Sequence, residues 1–206
     1  LQEKTALRDQ LLQAEDARKS KELEEARRLQ LAMLPKCLHD FPGFDICFYM
    51  QTATEVGGDY YDYQMAADGT LIIAIGAATR HVMNAGTMVS TIKSLILTQA
   101  GDADLPAFFE KSSQAIKQMR LGNLYMALAL VKIKGRQMVA ASAGMPPIYL
   151  YRRATQTIEA IVIKGMPLGG PAAQSYQTVE NLLYPGDAVL LMSDGLPELF
   201  NEQNEM

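Results

Sequence analysis

The spacing of hydrophobic and polar positions along this chain first changes close to residue 35. Residues 1–33 contain neither Gly nor Pro and are rich in strong helix formers. Their apolar positions recur at steps of three and four residues on either side of the polar stretch 18–22: Leu7, Leu11, Ala14, Leu23, Ala26, Leu29 or Gln30, and Met33. This pattern predicts a helix of about 50 Å that Pro35 ends. A short, weak, dimeric coiled coil is expected, with a single solvated helix as the alternative.

Beyond residue 44 the pattern changes to short apolar or alternating runs, which are typical of strands. Helical spacing interrupts them over about 85–98 and again over 105–119. Strands are predicted over 44–50, 60–65, 70–75, 124–133, 137–141, 148–152, 157–163, 178–183 and 188–192. Two helices within a run of hairpin-connected strands favour the α+β class with antiparallel sheets.

Composition narrows the class of protein but not its activity. The 206 residues are 49% hydrophobic and carry a net charge of −4, which fits one globular domain with an appendage and gives no sign of a nucleic-acid or anionic-membrane partner. No apolar run is long enough to insert into a membrane. Cys37 and Cys47 have no metal-site spacing and are expected to be reduced thiols of a cytoplasmic protein. Because the chain begins with Leu1, it is expected to be a piece of a longer protein.

Two aspartates stand beside glycine at the edges of predicted strands. Asp59 follows Gly57-Gly58, and Asp194 precedes Gly195. Either residue alone could cap a turn, but two from distant segments indicate a shared site for a hard cation such as Mg²⁺ or Mn²⁺. Asp62 lies three residues beyond Asp59, so strand alternation directs it to the opposite face. We expect Asp62 to be a surface or turn-bonding residue.

Several motifs resemble, in order and spacing, the PPM-type (type 2C) metal-dependent serine/threonine protein phosphatases, and most of all their bacterial SpoIIE-like branch. The resemblance covers about residues 25–200. It is carried by Leu29-Gln30 with Met33-Leu34-Pro35, Val56 to Asp62, Ser142 to Pro147, Gly165 to Gly169, Pro185-Gly186-Asp187 and Asp194-Gly195. The resemblance implies a β-sandwich of two antiparallel sheets flanked by helices over residues 36–206, behind a helical signalling stalk over residues 1–35.

The resemblance also implies the chemistry, which is hydrolysis of phosphoserine or phosphothreonine on a partner protein. In that family two Mn²⁺ or Mg²⁺ ions activate the attacking water, so no catalytic side-chain nucleophile is expected. By the same resemblance, Asp59, Asp194 and the backbone of Gly58 or Ala78 are the metal ligands of this chain.

The chain departs from the family in the loop after the predicted strand 70–75. The family pattern Gly-Asp-x-x-Gly-x-Gly is replaced by Gly76-Ala77-Ala78-Thr79-Arg80-His81-Val82, so the carboxylate shared by both metals is Ala77 and two glycines are Arg80 and Val82. Two divalent ions 4 Å apart repel by about 17 kcal/mol at an effective dielectric of 20. Alanine offsets none of that repulsion, so at most one weakly bound ion, or none, is predicted. A further family Asp belongs to a C-terminal strand beyond Met206, so the domain is expected to lack its C-terminal end.

Arg80 suggests a metal-free arrangement of the same loop. We hypothesise that its guanidinium pairs with Asp59 or Asp194; a solvated side chain is the alternative. For His81 a structural role is favoured over a catalytic one, and Met145 is expected to pack in a loop facing the site.

Three functional interpretations therefore stay open. The first is a cytoplasmic signalling phosphatase, or the cytoplasmic part of a larger sensor, whose activity is weak or lost. The second is an inactive pseudophosphatase that acts as a binding or regulatory module, coupled to an upstream sensor through a dimeric helix. The third is an enzyme inactivated on purpose by changes in the loop.

Overall fold

A computed structural model of the chain describes residues 2–35, 41–51, 58–79, 82–101, 104–120, 122, 124–171 and 175–196. The elements follow one another in this order: α1 (Gln2–Met33), β1 (Asp59–Met65), β2 (Leu71–Ala78), α2 (Val82–Gln99), α3 (Leu105–Gln118), β3 (Met126–Lys134), β4 (Gln137–Ala143), β5 (Ile148–Arg152), β6 (Thr157–Ile161), β7 (Thr178–Leu182) and β8 (Ala188–Leu190).

The strands form two antiparallel sheets that pack face to face. The larger sheet has the order β1-β2-β3-β4-β7, and the smaller has the order β6-β5-β8. A buried apolar cluster between them contains Leu71, Val131 and Met138 from the larger sheet and Ile148 and Leu150 from the smaller. The predicted α+β fold with two packed antiparallel sheets is confirmed.

Helices α2 and α3 cover the outer face of the larger sheet. Their apolar stripes pack on the alternate residues of β2 and β3 that point away from the smaller sheet, and this second cluster includes Met88, Ile92, Phe108, Phe109, Ile72, Leu128 and Leu130. Asp104 caps the start of α3, because its carboxylate accepts a hydrogen bond from the Ala107 N–H at 2.7 Å. The two faces of the larger sheet thus have different neighbours: helices on one side and a second sheet on the other.

Helix α1 confirms the predicted long N-terminal helix, and its last turns contact the body of the protein. Gln30 and Leu34 are buried, and Met33 packs against the second cluster, where its sulfur accepts a hydrogen bond from the Ser90 hydroxyl on α2. Pairing of α1 with a second copy stays a prediction. Among the described residues no helix has the length and apolar character that a membrane span requires.

The strand predicted over residues 44–50 is wrong. The side chains alternate there between half-buried and exposed, as the sequence pattern suggests, but the described residues give the segment only an isolated bridge between Phe41 and Phe44. Phe48 instead stacks on Tyr61, with ring centroids 4.7 Å apart. The alternation of apolar and polar residues in this segment therefore reflects that one side of an extended chain packs against the protein. It does not indicate a strand hydrogen-bonded within a sheet.

Strand β2 is longer than predicted, and this difference bears on the site. The apolar run ends at Ile75, but the structure continues the strand through Ala78. Both neighbours support the extension, because residues 76–78 pair with β3 and residues 76–77 also pair with β1. The other predicted elements lie within about three residues of the observed ones.

Candidate functional site

The candidate site lies at one end of the sandwich, between the two sheets. Asp59 is the first residue of β1, on the same face as Tyr63, which packs against the inter-sheet cluster. Asp194 follows β8 of the smaller sheet. Burial raises the pKa of Asp59, the nearby Asp194 carboxylate raises the same pKa further, and a hydrogen bond from the Ser193 side chain opposes both effects. The structure thus brings together the two carboxylates that the sequence singled out.

Ala77 lies directly opposite Asp59. The strand register pairs Asp59 with Ala77, and Ala77 in turn with Ala127 of β3. Residues paired across strands project from the same face of a sheet, so these three form one row facing the inter-sheet space. The position that the resemblance assigns to the shared carboxylate therefore presents a methyl group beside Asp59.

Gly58 and Ala78 are in close backbone contact beside this row. The Ala78 N–H donates to the Gly58 carbonyl at 2.8 Å. A Cβ on Gly58 would lie 2.5 Å from the Ala78 carbonyl oxygen, so only glycine allows the two backbones to approach this closely. Both residues that were predicted to offer a backbone ligand lie next to Asp59, and their role as ligands stays a prediction.

The altered loop is described only at its two ends. Thr79 is hydrogen-bonded to Tyr125, the residue before β3, and Val82 begins α2. Arg80 and His81 lie outside the described residues, so the predicted pairing of Arg80 with Asp59 or Asp194 and the role of His81 stay predictions.

The expectation that Asp62 is a surface or turn-bonding residue is wrong. Alternation does place it on the face opposite Asp59, but that face is covered by α2, and Asp62 is only 4% exposed. Its carboxylate accepts hydrogen bonds from the Lys93 ammonium at 2.6 Å, the Tyr60 hydroxyl at 2.8 Å and the Tyr63 N–H at 2.9 Å. The available signal was Lys93, a cation within the otherwise apolar stripe of α2.

Three of the remaining motifs make contacts within the fold. Asp187 accepts hydrogen bonds from the backbone N–H groups of Arg153 and Tyr184 and from the Arg152 guanidinium, which hold its pKa below the usual value and join the β7–β8 turn to β5. The glycine-proline loops contact each other, since a Cβ on Gly144 would lie 2.8 Å from the Pro167 side chain. Met145 is half-buried in the first of these loops.

The described residues of the site do not provide the ligand set of a two-metal centre. Within the part of the chain that the structure describes, no group of three or more His, Cys, Asp or Glu side chains could hold an ion together. Asp59 and Asp194, with neighbouring backbone carbonyls, offer oxygen ligands of the type that one hard cation prefers. A second ion would need the shared carboxylate that Ala77 cannot supply.

Comparisons with known proteins identify the family of the chain and agree with its fold. A family model described as "Stage II sporulation protein E (SpoIIE)" matches residues 67–206. The chain is 24% identical over 184 residues to the phosphoserine phosphatase RsbU of Bacillus subtilis, covering 88% of this chain and 55% of RsbU. It is also 24% identical over 208 residues to the protein IcfG of a Synechocystis species, covering 86% of this chain and 32% of IcfG.

Among solved structures, the SiaA-PP2C domain of Pseudomonas aeruginosa is similar, with a TM-score of 0.74 and 22% identity over 93% of this chain and 78% of that domain. This likeness shows the fold. The chain spans about half the length of RsbU and a third of IcfG. Sequence and fold together lead to one conclusion: the chain belongs to the SpoIIE family of PPM-type phosphatases, a family of signalling serine/threonine protein phosphatases whose members depend on metal ions.

Proposed function

We propose that this chain is the phosphatase-fold domain of a bacterial signalling protein, in which hydrolysis of phosphoserine or phosphothreonine on a partner protein is weak or lost. The observation that carries the proposal is the cross-strand pairing of Asp59 with Ala77. A methyl group at this position can neither ligate an ion nor offset the repulsion between two. At most one Mn²⁺ or Mg²⁺ would bind, weakly, between Asp59 and Asp194.

The same observation favours a second candidate function, a pseudophosphatase that binds a phosphoprotein or a regulatory partner without turnover. Its support is that Asp59 and Asp194 still lie close together and that the half-buried row across β1, β2 and β3 is completed by the small side chains of Ala77 and Ala127. In this function the module is cytoplasmic and is coupled to an upstream sensor through α1.

An activity measurement on a revertant tests the proposal. The triple variant Ala77→Asp, Arg80→Gly, Val82→Gly restores the family pattern, and its hydrolysis of an aryl phosphate with Mn²⁺ is compared with that of the unaltered chain. We expect the unaltered chain to be at least about 100-fold slower, since it lacks a direct metal ligand. If the unaltered chain is slower than the revertant but still hydrolyses the aryl phosphate faster than buffer does, the result supports a weak phosphatase. Hydrolysis indistinguishable from that in buffer supports the pseudophosphatase.

The matched control adds Asp59→Asn to the triple variant and is expected to abolish the restored activity. Turnover by the unaltered chain equal to that of the revertant would show that position 77 does not limit catalysis, and the proposal would then be wrong.

A further inference from the structure

The chain leaves the larger sheet at Thr79 through an unusual pair of contacts. Strand β2 is paired with β3 through Ala78 and Met126, and the Thr79 N–H continues the ladder by donating to the Tyr125 carbonyl at 2.9 Å. In a regular antiparallel pair of this kind, the Tyr125 N–H would donate to the main-chain carbonyl of residue 79. Here it donates to the Thr79 hydroxyl oxygen at 2.8 Å, and that hydroxyl also lies 3.3 Å from the Tyr125 carbonyl.

The Thr79 hydroxyl takes the place of the Thr79 carbonyl as the acceptor for the Tyr125 N–H, and this replacement has a physical consequence. The Tyr125 N–H is satisfied by the hydroxyl, so the main chain at Thr79 can turn out of the sheet without leaving that donor unpaired. The turn is needed at this point, because α2 begins three residues later at Val82. The Thr79 hydroxyl thus allows the sheet to remain paired up to the residue where the loop departs.

The neighbouring residue is held from the other side. The Ala78 N–H donates to the Gly58 carbonyl at 2.8 Å, which ties β2 to the residue before Asp59. The Ala78 contact to Gly58 and the Thr79 contacts to Tyr125 therefore lie just beyond position 77 on its C-terminal side. Loss of the Thr79 hydroxyl would remove part of the pairing at this end of β2, two residues beyond position 77.

We propose that Thr79 is a positioning residue whose hydroxyl holds the end of β2 against the residue before β3, two residues beyond position 77, and so fixes the start of the loop between β2 and α2. Thr79 acts through Tyr125. The importance of this role for catalysis rests on the proposed function, but the hydrogen bonds themselves do not.

Amide hydrogen exchange of Tyr125, followed by NMR, tests the role in the protein as it is. Thr79→Val removes the hydroxyl and keeps the shape, Thr79→Ser keeps the hydroxyl, and Thr98→Val is a control whose hydroxyl bonds only carbonyls within α2. We expect exchange at Tyr125 to become about tenfold faster in Thr79→Val, as for the loss of one hydrogen bond, and to stay unchanged in the other two variants. Thr79 is exposed, so the fold should persist, and Thr79→Ala is a second variant without the hydroxyl.

Unchanged exchange at Tyr125 in both Thr79→Val and Thr79→Ala would overturn the proposal, as would an equal acceleration in Thr79→Ser.

A second readout is Mn²⁺ affinity in the Ala77→Asp background. In that background Thr79→Val should weaken Mn²⁺ binding about tenfold, which is the size of effect seen when a residue that orients a metal ligand is lost. Thr79→Ser should leave Mn²⁺ binding unchanged. Equal affinity with Thr and Val at position 79 would contradict the role. Absence of Mn²⁺ binding by Ala77→Asp itself would count against the proposed function, while the exchange experiment would still decide the role of Thr79.

Discussion

At the scale of single residues, the two faces of β1 carry two different kinds of carboxylate. Asp59 faces the space between the sheets, where it is close to Asp194 and has a raised pKa. Asp62 faces α2, where it is buried and neutralised by Lys93. Asp59 and Asp62 are thus only three positions apart in sequence, but the charge of Asp59 destabilises the fold, whereas the charge of Asp62 is compensated.

A prediction follows from the raised pKa of Asp59. The folded chain holds a proton on Asp59 more tightly than the unfolded chain does, so ionised Asp59 destabilises the fold above its folded pKa. This penalty disappears as the pH falls below the ordinary value of 3.8. We therefore expect Asp59→Asn to raise the melting temperature at pH 7.5, in the presence of a metal chelator, and to have a much smaller effect at pH 4.

The measurement is thermal unfolding followed by circular dichroism at both pH values. Asp45→Asn is the control, since this aspartate is exposed and lies outside the site. A lower melting temperature for Asp59→Asn at pH 7.5 would mean that the Ser193 hydrogen bond outweighs burial and repulsion.

At the scale of elements, the ion pair between Asp62 and Lys93 joins β1 to α2. The side chains are 6% and 23% exposed, and the carboxylate has two further donors in Tyr60 and Tyr63. Removing one partner of a pair in this setting leaves a charge with poor solvation. The pair therefore fixes α2 against the strand that begins at Asp59.

We expect Lys93→Met to lower the free energy of unfolding by about 3 kcal/mol, because Asp62 keeps its charge and loses its cation. Adding Asp62→Asn should restore part of this loss, since the amide oxygen still accepts from Tyr60. Urea denaturation of the unaltered chain, Lys93→Met, Asp62→Asn and the double variant gives the coupling free energy between the two residues. The control is Lys134→Met, which removes the partner of the exposed Asp68 and should change stability far less; equal losses at the two lysines would contradict the prediction.

The elements also show what the sequence could and could not predict. Helices α2 and α3 were predictable because their apolar stripes are long and regular, and Asp59 and Asp194 because each lies beside glycine at a strand edge. The Asp62–Lys93 pair joins residues 31 positions apart, so a cation in the apolar stripe of α2 signals a buried partner without identifying Asp62. The end of β2 was misjudged because Gly76, Ala77 and Ala78 have weak strand preferences, which pairing on both sides overrides.

At the scale of the whole molecule, α1 extends from the body by most of its length. Gln30 and Leu34 are buried against the domain, whereas Leu12 and Leu29 are largely exposed. Exposed leucines on a long helix with balanced charges are typical of a surface that pairs with a second helix.

We predict that the chain is a dimer at tens of micromolar and that deletion of residues 1–25 makes it a monomer. The deletion keeps Gln30 and Leu34, so the body should remain folded. Sedimentation velocity measures both states, and Leu29→Lys should weaken the dimer because it places a charge on the exposed stripe. A monomer at this concentration with α1 present would argue against a paired stalk.

The alternation of faces along β1 has one more consequence, for how such a protein can change over evolutionary time. Tyr60 and Asp62 point toward the helices, and Asp59 points the other way, toward Asp194. Ala77 of β2 lies opposite Asp59 on this second side, so a change at position 77 leaves the side that faces the helices untouched. A lineage can therefore alter the side chains that face the site and still inherit a well-formed scaffold, free to be recruited for recognition or for relaying a signal.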